Sequence, residues 1–142
     1  KYYIQCPKEL VSYMHSKLEK LNSKIEIKEY FFNINEILQN TSLAICRSGA
    51  GTINDLICYK IPSILIPLPG SKDNHQLHNA YILSKKNLGI VIDQNFNNIN
   101  KAKDYIYEIY NDKKKKQNII ENFNIMTINN TNSLIHKLIT NE

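Results

Sequence analysis

CRSGAGTINDL, residues 46–56, follows an apolar run and gathers two of the chain's four glycines, a serine, a threonine and its single arginine into a few positions. SLAIC (42–46), a short continuous apolar stretch closed by a glycine-containing loop, reads as a buried strand. TINDLICYK (52–60) then reads as a helix, so the segment is a strand, a tight loop and a helix start. Thr52 and Asp55 stand three apart at that start, the layout of a capping box.

Outward from this unit the same alternation recurs. YYIQC (2–6) reads as a strand, and the stretch from about Pro7 to Leu21 as a helix with Leu10, Val11, Met14, Leu18 and Leu21 on one face. KIEIKEY alternates like a second strand, EILQ is a short helix, SILIPL (63–68) another buried strand, His75 to Lys86 a helix, and GIVI (89–92) a last short strand. Helices are expected near Ala102 to Tyr110, Lys114 to Asn122 and Ser133 to Ile139, with the Asn-rich stretches around Asn95 to Asn100 and Asn129 to Asn132 as loops. Consecutive βα units imply an α/β fold, a parallel sheet with helices on both faces. Parallel strands are expected at Tyr2 to Gln5, Ile25 to Lys28, Leu43 to Cys46 and Ile64 to Pro67. With 142 residues, the expectation is one domain, 1–142.

Composition excludes several classes. No apolar run reaches the roughly 18 residues of a membrane span, and the first residues lack the layout of a secretory signal. Cys6, Cys46 and Cys58 are odd in number and show no CxxC spacing, which reads as reduced core thiols in a cytosolic chain. The net charge of +5 rests on 17 lysines spread along the chain, within a general bias to lysine, asparagine and isoleucine. A charge so diffuse is a weak footprint for nucleic acid, and no nucleic-acid partner is expected. The run Lys113 to Lys116 reads as a solvated face or turn between helices, and secondarily as a contact for an anionic membrane surface.

In a parallel α/β sheet, ligands bind beyond the carboxyl ends of the strands, where loops lead into helix N-termini. Gly49 and Gly51 would let the backbone turn tightly and approach a ligand, and the first N–H groups of the helix, with no intrahelical partner, suit an anion. Arg47 beside them offers a planar five-donor fork to phosphate oxygens. On spacing alone the motif fits a phosphate site and a plain strand-to-helix turn equally, since it is neither GxGxxG nor a P-loop. Asp55 fits a cap or an acceptor for ribose hydroxyls. The second loop, PLPGSKDNHQLHNA (67–80), faces the same edge, and its Asp73, Asn74, His75, Gln76 and Asn79 supply donors and acceptors suited to sugar hydroxyls. His75 and His78 lack a third ligand at metal spacing, so no metal or other cofactor is expected.

CRSGAGTINDL and DNHQLHNA, with the strand PSILIPLP between them, resemble the C-terminal donor-binding domain of the MurG family of peptidoglycan N-acetylglucosaminyltransferases, glycosyltransferase family 28. The resemblance runs from about Tyr2 to Gln94. It implies one Rossmann-like half of a GT-B enzyme that moves N-acetylglucosamine from UDP-GlcNAc to lipid I with inversion. On this likeness Ser48, Gly49, Ala50, Gly51 and Thr52 lie at the diphosphate, Asp55 at the ribose in place of the family's usual Glu, His75 and Gln76 match the pair that faces ribose, phosphate and sugar hydroxyls, and Asn79 matches the substrate-binding Asn of the family's NA element. Tyr30, Phe31 and Phe32 fall where the family places an aromatic or aliphatic pair that holds uracil by stacking and backbone hydrogen bonds; Phe31 stands for them among the substrate-binding residues, with the exact member left open.

The likeness also implies that the family's first strand with its Gly-Gly-Ser loop, and the acceptor-binding half carrying the proposed general base and the membrane-contacting patch, are absent here, so the chain alone should not turn over. The catalytic base is therefore unknown from this sequence, and Arg47 with the N–H groups of residues 49–53 would stabilise the UDP leaving group. Implied partners are UDP-N-acetylglucosamine, a lipid-linked acceptor through the missing half, and the cytoplasmic face of the inner membrane as a peripheral contact. Two alternatives stay open: the catalytic subunit of the eukaryotic enzyme that adds the second N-acetylglucosamine to a dolichol-linked chain, and a non-catalytic UDP-binding module. CRSG and HNA favour the bacterial family.

Overall fold

The computed structural model describes the backbone of residues 1–94 and 98–140, and side chains among these as far as residue 126. Contacts divide the chain into two compact units, Lys1–Ile37 and Leu38–Glu142.

The first unit is a single βαβ turn. Strand β1 (Tyr2–Gln5) leads into helix α1 (Lys8–Leu18) and then strand β2 (Ile25–Lys28), which pairs with β1 in parallel from Tyr2↔Ile25 to Gln5↔Lys28. Ile27 is buried, and so is Phe31 just beyond β2, its ring edge-on to Tyr3 with centroids 5.7 Å apart. Helix α1 buries no residue fully. Its expected five-residue apolar face narrows to Val11, Met14 and Leu18, while Leu10 is exposed and Leu21 lies past the helix end, in a turn closed by its N–H on the Leu18 carbonyl. Lys28 and Lys1 both meet the Glu26 carboxylate, at 2.7 and 2.9 Å, and hold it below its usual range; on an exposed surface such pairs add little stability. Helix α2 (Ile34–Gln39) follows.

In the second unit, strands β3 (Ala44–Cys46), β4 (Ser63–Leu65) and β5 (Gly89–Val91) form a parallel sheet in the order β3-β4-β5. Helix α3 (Ala50–Cys58) connects β3 to β4, and a 3-10 turn (Lys72–Asn74) with helix α4 (His75–Ser84) connects β4 to β5. Helices α5 (Ile99–Asn111) and α6 (Lys113–Thr140) complete it. β4 is buried at every position, as its unbroken SIL run requires. Around it Leu56, Ile61, Ile64, Leu83, Leu88, Ile92, Ile109, Ile119 and Phe123 make one core. Each such side chain is worth about 1.5–3 kcal/mol when fully buried.

Two helices stop in the same way. After α3, Lys60 takes a left-handed conformation (φ 54°), its N–H reaching the Ile57 carbonyl and the Ile61 N–H the Leu56 carbonyl. After α4, Asn87 (φ 56°) repeats the pattern onto Ser84, with Leu88 onto Leu83. These are Schellman stops, and each delivers a fully buried residue, Ile61 or Leu88, to the start of the next strand. Beside the second stop, Gly89 is required by close approach, because a Cβ there would lie 2.5 Å from the Ser63 carbonyl oxygen.

The parallel α/β expectation holds, with corrections to single elements. The strands fall into two sheets, not one continuous sheet, since alternation identifies a strand without naming its lateral neighbour. The expected loop at Asn129 to Asn132 is helical: with neither glycine nor proline between Lys113 and Thr140, the few tenths of a kcal/mol that each asparagine costs do not break α6. The lysine run is the first turn of that helix, whose Asp112 carboxylate accepts the Lys115 N–H at 2.9 Å. The expected loop around Asn95 to Asn100 lies partly outside the described residues, and α5 begins within it, at Ile99. The cysteines are free, but only Cys6 and Cys46 are partly buried; Cys58, at the end of α3, is exposed.

Candidate functional site

Helix α3 begins at Ala50, three residues before the capping-box reading placed it. Gly49 is its N-cap, and no side chain caps it. Thr52 is therefore a first-turn residue and Asp55 an exposed second-turn residue whose carboxylate has no hydrogen-bonding or ionic partner among the described residues. Gly49 has an extended backbone (φ −62°, ψ 154°) that any residue adopts, and a Cβ at Gly51 would meet nothing within 4 Å. The two glycines thus do not make the turn. What they do is leave the helix start bare. The first bond of the helix is from the Ile53 N–H to the Gly49 carbonyl at 2.9 Å, which leaves the N–H groups of Ala50, Gly51 and Thr52 without an intrahelical acceptor at the positive end of the helix dipole.

The residue before this cap is locked. Ser48 is fully buried, and its Oγ donates to the Gln76 carbonyl at 2.7 Å. Asn79 Nδ2 donates to the Ser48 carbonyl at 3.1 Å. From the second loop, the Leu68 N–H donates to Gln76 Oε1 at 3.0 Å, and because an N–H needs an acceptor this bond also fixes which way the Gln76 amide faces. The Gln76 N–H in turn reaches Ser71 Oγ at 3.4 Å. Arg47 sends Nη1 to the carbonyls of Ile66 and Pro67 at 3.0 and 3.2 Å, leaving Nε and Nη2 for other acceptors. Ser71 and the two carbonyls carry no signal in the sequence, because any residue can lend its backbone and a loop serine has many uses.

Around this, the second loop runs through Gly70 (φ 69°), Asp73 (φ 51°) and Asn74 (φ 53°), all left-handed. His75 Nδ1 lies 2.5 Å from the Lys72 carbonyl, so that nitrogen carries the proton and Nε2 remains for a ligand group. His75 is exposed, and Gln76 and Asn79 are half-buried. On the far side of the loop, a cavity of about 590 Å³ is bounded by Leu68, Asn74, Leu77, Tyr81, Ile92 and Asp93 among others. It takes none of the residues from Arg47 to Asp55. Burial pushes the Cys46 thiol at the end of β3 up to about 11, which keeps it protonated and inert. Among the described residues no group of three metal-binding side chains occurs, and no helix is long and apolar enough to cross a membrane.

The structure therefore brings Arg47, Ser48, Gly49, Ala50, Gly51, Thr52, His75, Gln76 and Asn79 together, with Asp55 one turn along α3. Phe31 belongs to the first unit, where it is 3% exposed, while its neighbours Tyr30 and Phe32 are 57% and 95% exposed and pack edge-on to each other.

Among solved structures, the chain is similar to Acinetobacter baumannii MurG, with a TM-score of 0.71 and 20% identity over 84% of this chain and 35% of that one. It is also similar to the spinosyn forosaminyltransferase SpnP, with a TM-score of 0.57 and 15% identity over 87% and 38%. Among curated proteins, it is 53% identical over 75 residues to the UDP-N-acetylglucosamine--N-acetylmuramyl-(pentapeptide) pyrophosphoryl-undecaprenol N-acetylglucosamine transferase of Prochlorococcus marinus strain MIT 9312, covering 52% of this chain and 21% of that protein. The protein of the same name from strain MIT 9215 is 39% identical over 120 residues, 82% of this chain and 32% of its own length. The one from Rickettsia bellii is 37% identical over 102 residues, 72% and 29%. The chain thus spans about a third or less of the curated relatives it matches. The model of the glycosyltransferase family 28 C-terminal domain matches residues 1–138, nearly end to end, and on that match the chain belongs to this family.

Proposed function

We propose that the chain is the UDP-N-acetylglucosamine-binding part of a GT-B, inverting N-acetylglucosaminyltransferase that forms lipid II from lipid I in peptidoglycan synthesis. The observation that carries this reading is the uncapped start of α3, three N–H groups aimed past the carboxyl edge of a parallel sheet and flanked by an arginine. A diphosphate supplies the acceptors those groups lack. As the bond from the anomeric carbon to the leaving oxygen breaks, negative charge grows on UDP, and dipoles already oriented at residues 50–52, with the remaining Arg47 donors, stabilise it without reorganising.

In this reading Asp55, one turn on, takes ribose hydroxyls, and His75 Nε2 meets a donor hydroxyl. Phe31, being buried, serves uracil through its backbone, and the exposed rings of Tyr30 and Phe32 offer the stacking surface. The general base and the lipid-linked acceptor belong to the acceptor half, which also makes the peripheral contact with the cytoplasmic face of the inner membrane.

The test is calorimetric titration of the chain with UDP and UDP-N-acetylglucosamine, followed by a transfer assay with and without the purified acceptor half of a relative. The chain should bind UDP alone and transfer sugar only in the mixture. A chain that binds no UDP at millimolar concentration would refute the reading.

A further inference from the structure

We infer that Ser48, Gln76 and Asn79 serve the donor by clasping two loops together, and that none of the three bonds it through the groups the clasp uses. This rests on the function proposed above but names a different role for three residues of that site. The Ser48 hydroxyl has one proton, committed to the Gln76 carbonyl at 2.7 Å inside a residue with no exposed surface. Gln76 Oε1 is committed to the Leu68 N–H, and an Asn79 Nδ2 proton to the Ser48 carbonyl. The bonds of Ser48 and Asn79 join the loop entering α3 to α4, that of Gln76 Oε1 ties α4 back to its own entering loop, and Arg47 adds two more onto Ile66 and Pro67.

The mechanical consequence follows from position. Ser48 immediately precedes the N-cap Gly49, so whatever fixes the Ser48 carbonyl fixes the direction of the N–H groups at Ala50, Gly51 and Thr52. A connected polar network such as this one, anchored on the buried Ser48, holds one geometry when every member is satisfied and loosens as a unit when one is removed. The phosphate-facing amides and the His75 loop are then a single coupled element. These three are positioning residues.

Two measurements on the whole chain decide it: amide hydrogen exchange at Leu68, followed by NMR, and UDP affinity by calorimetry. Ser48→Ala should speed Leu68 exchange by about tenfold and weaken UDP by about five- to tenfold, the scale of one hydrogen bond. Gln76→Met should do the same. Gln76→Glu keeps the acceptor for Leu68 while losing the amide donor, so its Leu68 exchange should stay within about twofold of wild type. A purely structural role would lower Tm in Ser48→Ala and leave UDP affinity unchanged, which overturns the inference. So does Gln76→Glu exposing Leu68 as fully as Gln76→Met. If the wild-type chain binds no UDP, the functional reading fails, and Leu68 exchange in the variants still decides whether the clasp exists.

Discussion

At Asp55 the location of the helix start decides what a substitution does. Had Thr52 been the N-cap, loss of the Asp55 carboxylate would cost stability; with the cap at Gly49, the side chain supports nothing in the fold. Asp55→Ala should therefore leave the melting temperature within about a degree and weaken UDP binding by about 1–3 kcal/mol, as measured by calorimetry, if the carboxylate holds ribose. Arg47 behaves differently, because its Nη1 braces two carbonyls of the neighbouring loop. Arg47→Lys keeps the charge but not the fork, so it should bind UDP more weakly than wild type and melt lower, whereas a pure charge contact would be restored by lysine. The sequence made these residues visible by type and spacing. It did not reveal which of their atoms the fold had already engaged, since Ser48 finds Gln76 28 positions away and Asn79 finds Ser48 31 positions away, beyond any local pattern.

At the scale of elements, strands and helices were legible because buried β runs such as SIL and the helical spacing of α4 and α5 are strong local signals. Sheet membership and the continuity of α6 were not. A strand carries no label for its neighbour, and asparagine is only a mild helix breaker. Two substitutions test how these elements are held. Gly89→Ala places a methyl 2.5 Å from the Ser63 carbonyl oxygen across the β4–β5 pair and should cost about 1–3 kcal/mol in urea unfolding, the range for overpacking. Asp112→Ala removes the acceptor for the Lys115 N–H at the head of α6, beside four lysines that already oppose the helix dipole. It should cost about 1 kcal/mol, read as a lower Tm with little change in UDP affinity.

For the molecule as a whole, two acidic groups, the partly buried Cys46 thiol and the buried Tyr105 hydroxyl, weaken the fold in alkali. Burial raises the Cys46 thiol from 9.0 to about 11, and burial with the nearby Glu108 charge raises the Tyr105 hydroxyl from 10.0 to about 12. The folded state holds both protons more tightly than the unfolded chain does. The stability they contribute is complete below pH 9 and is lost as pH climbs through 11 and 12. The urea midpoint should be insensitive to these groups between pH 7 and 9. Above pH 10, Tyr105→Phe should lose less stability than wild type, and at neutral pH it should cost little, because the hydroxyl it deletes has no hydrogen-bond partner.

The paired helix stops have a consequence of another kind. Lys60 and Asn87 occupy left-handed positions where a side chain is a burden and glycine is at ease, and both lie at helix ends away from the bare start of α3. They are places where the chain has headroom. Lys60→Gly should raise thermal resistance, by up to about 1 kcal/mol, and Asn87→Gly by less, because asparagine tolerates the conformation better. A sturdier variant made in this way would keep the loops that enter α3 and α4 untouched, giving a robust template on which substitutions in those loops can be studied without unfolding.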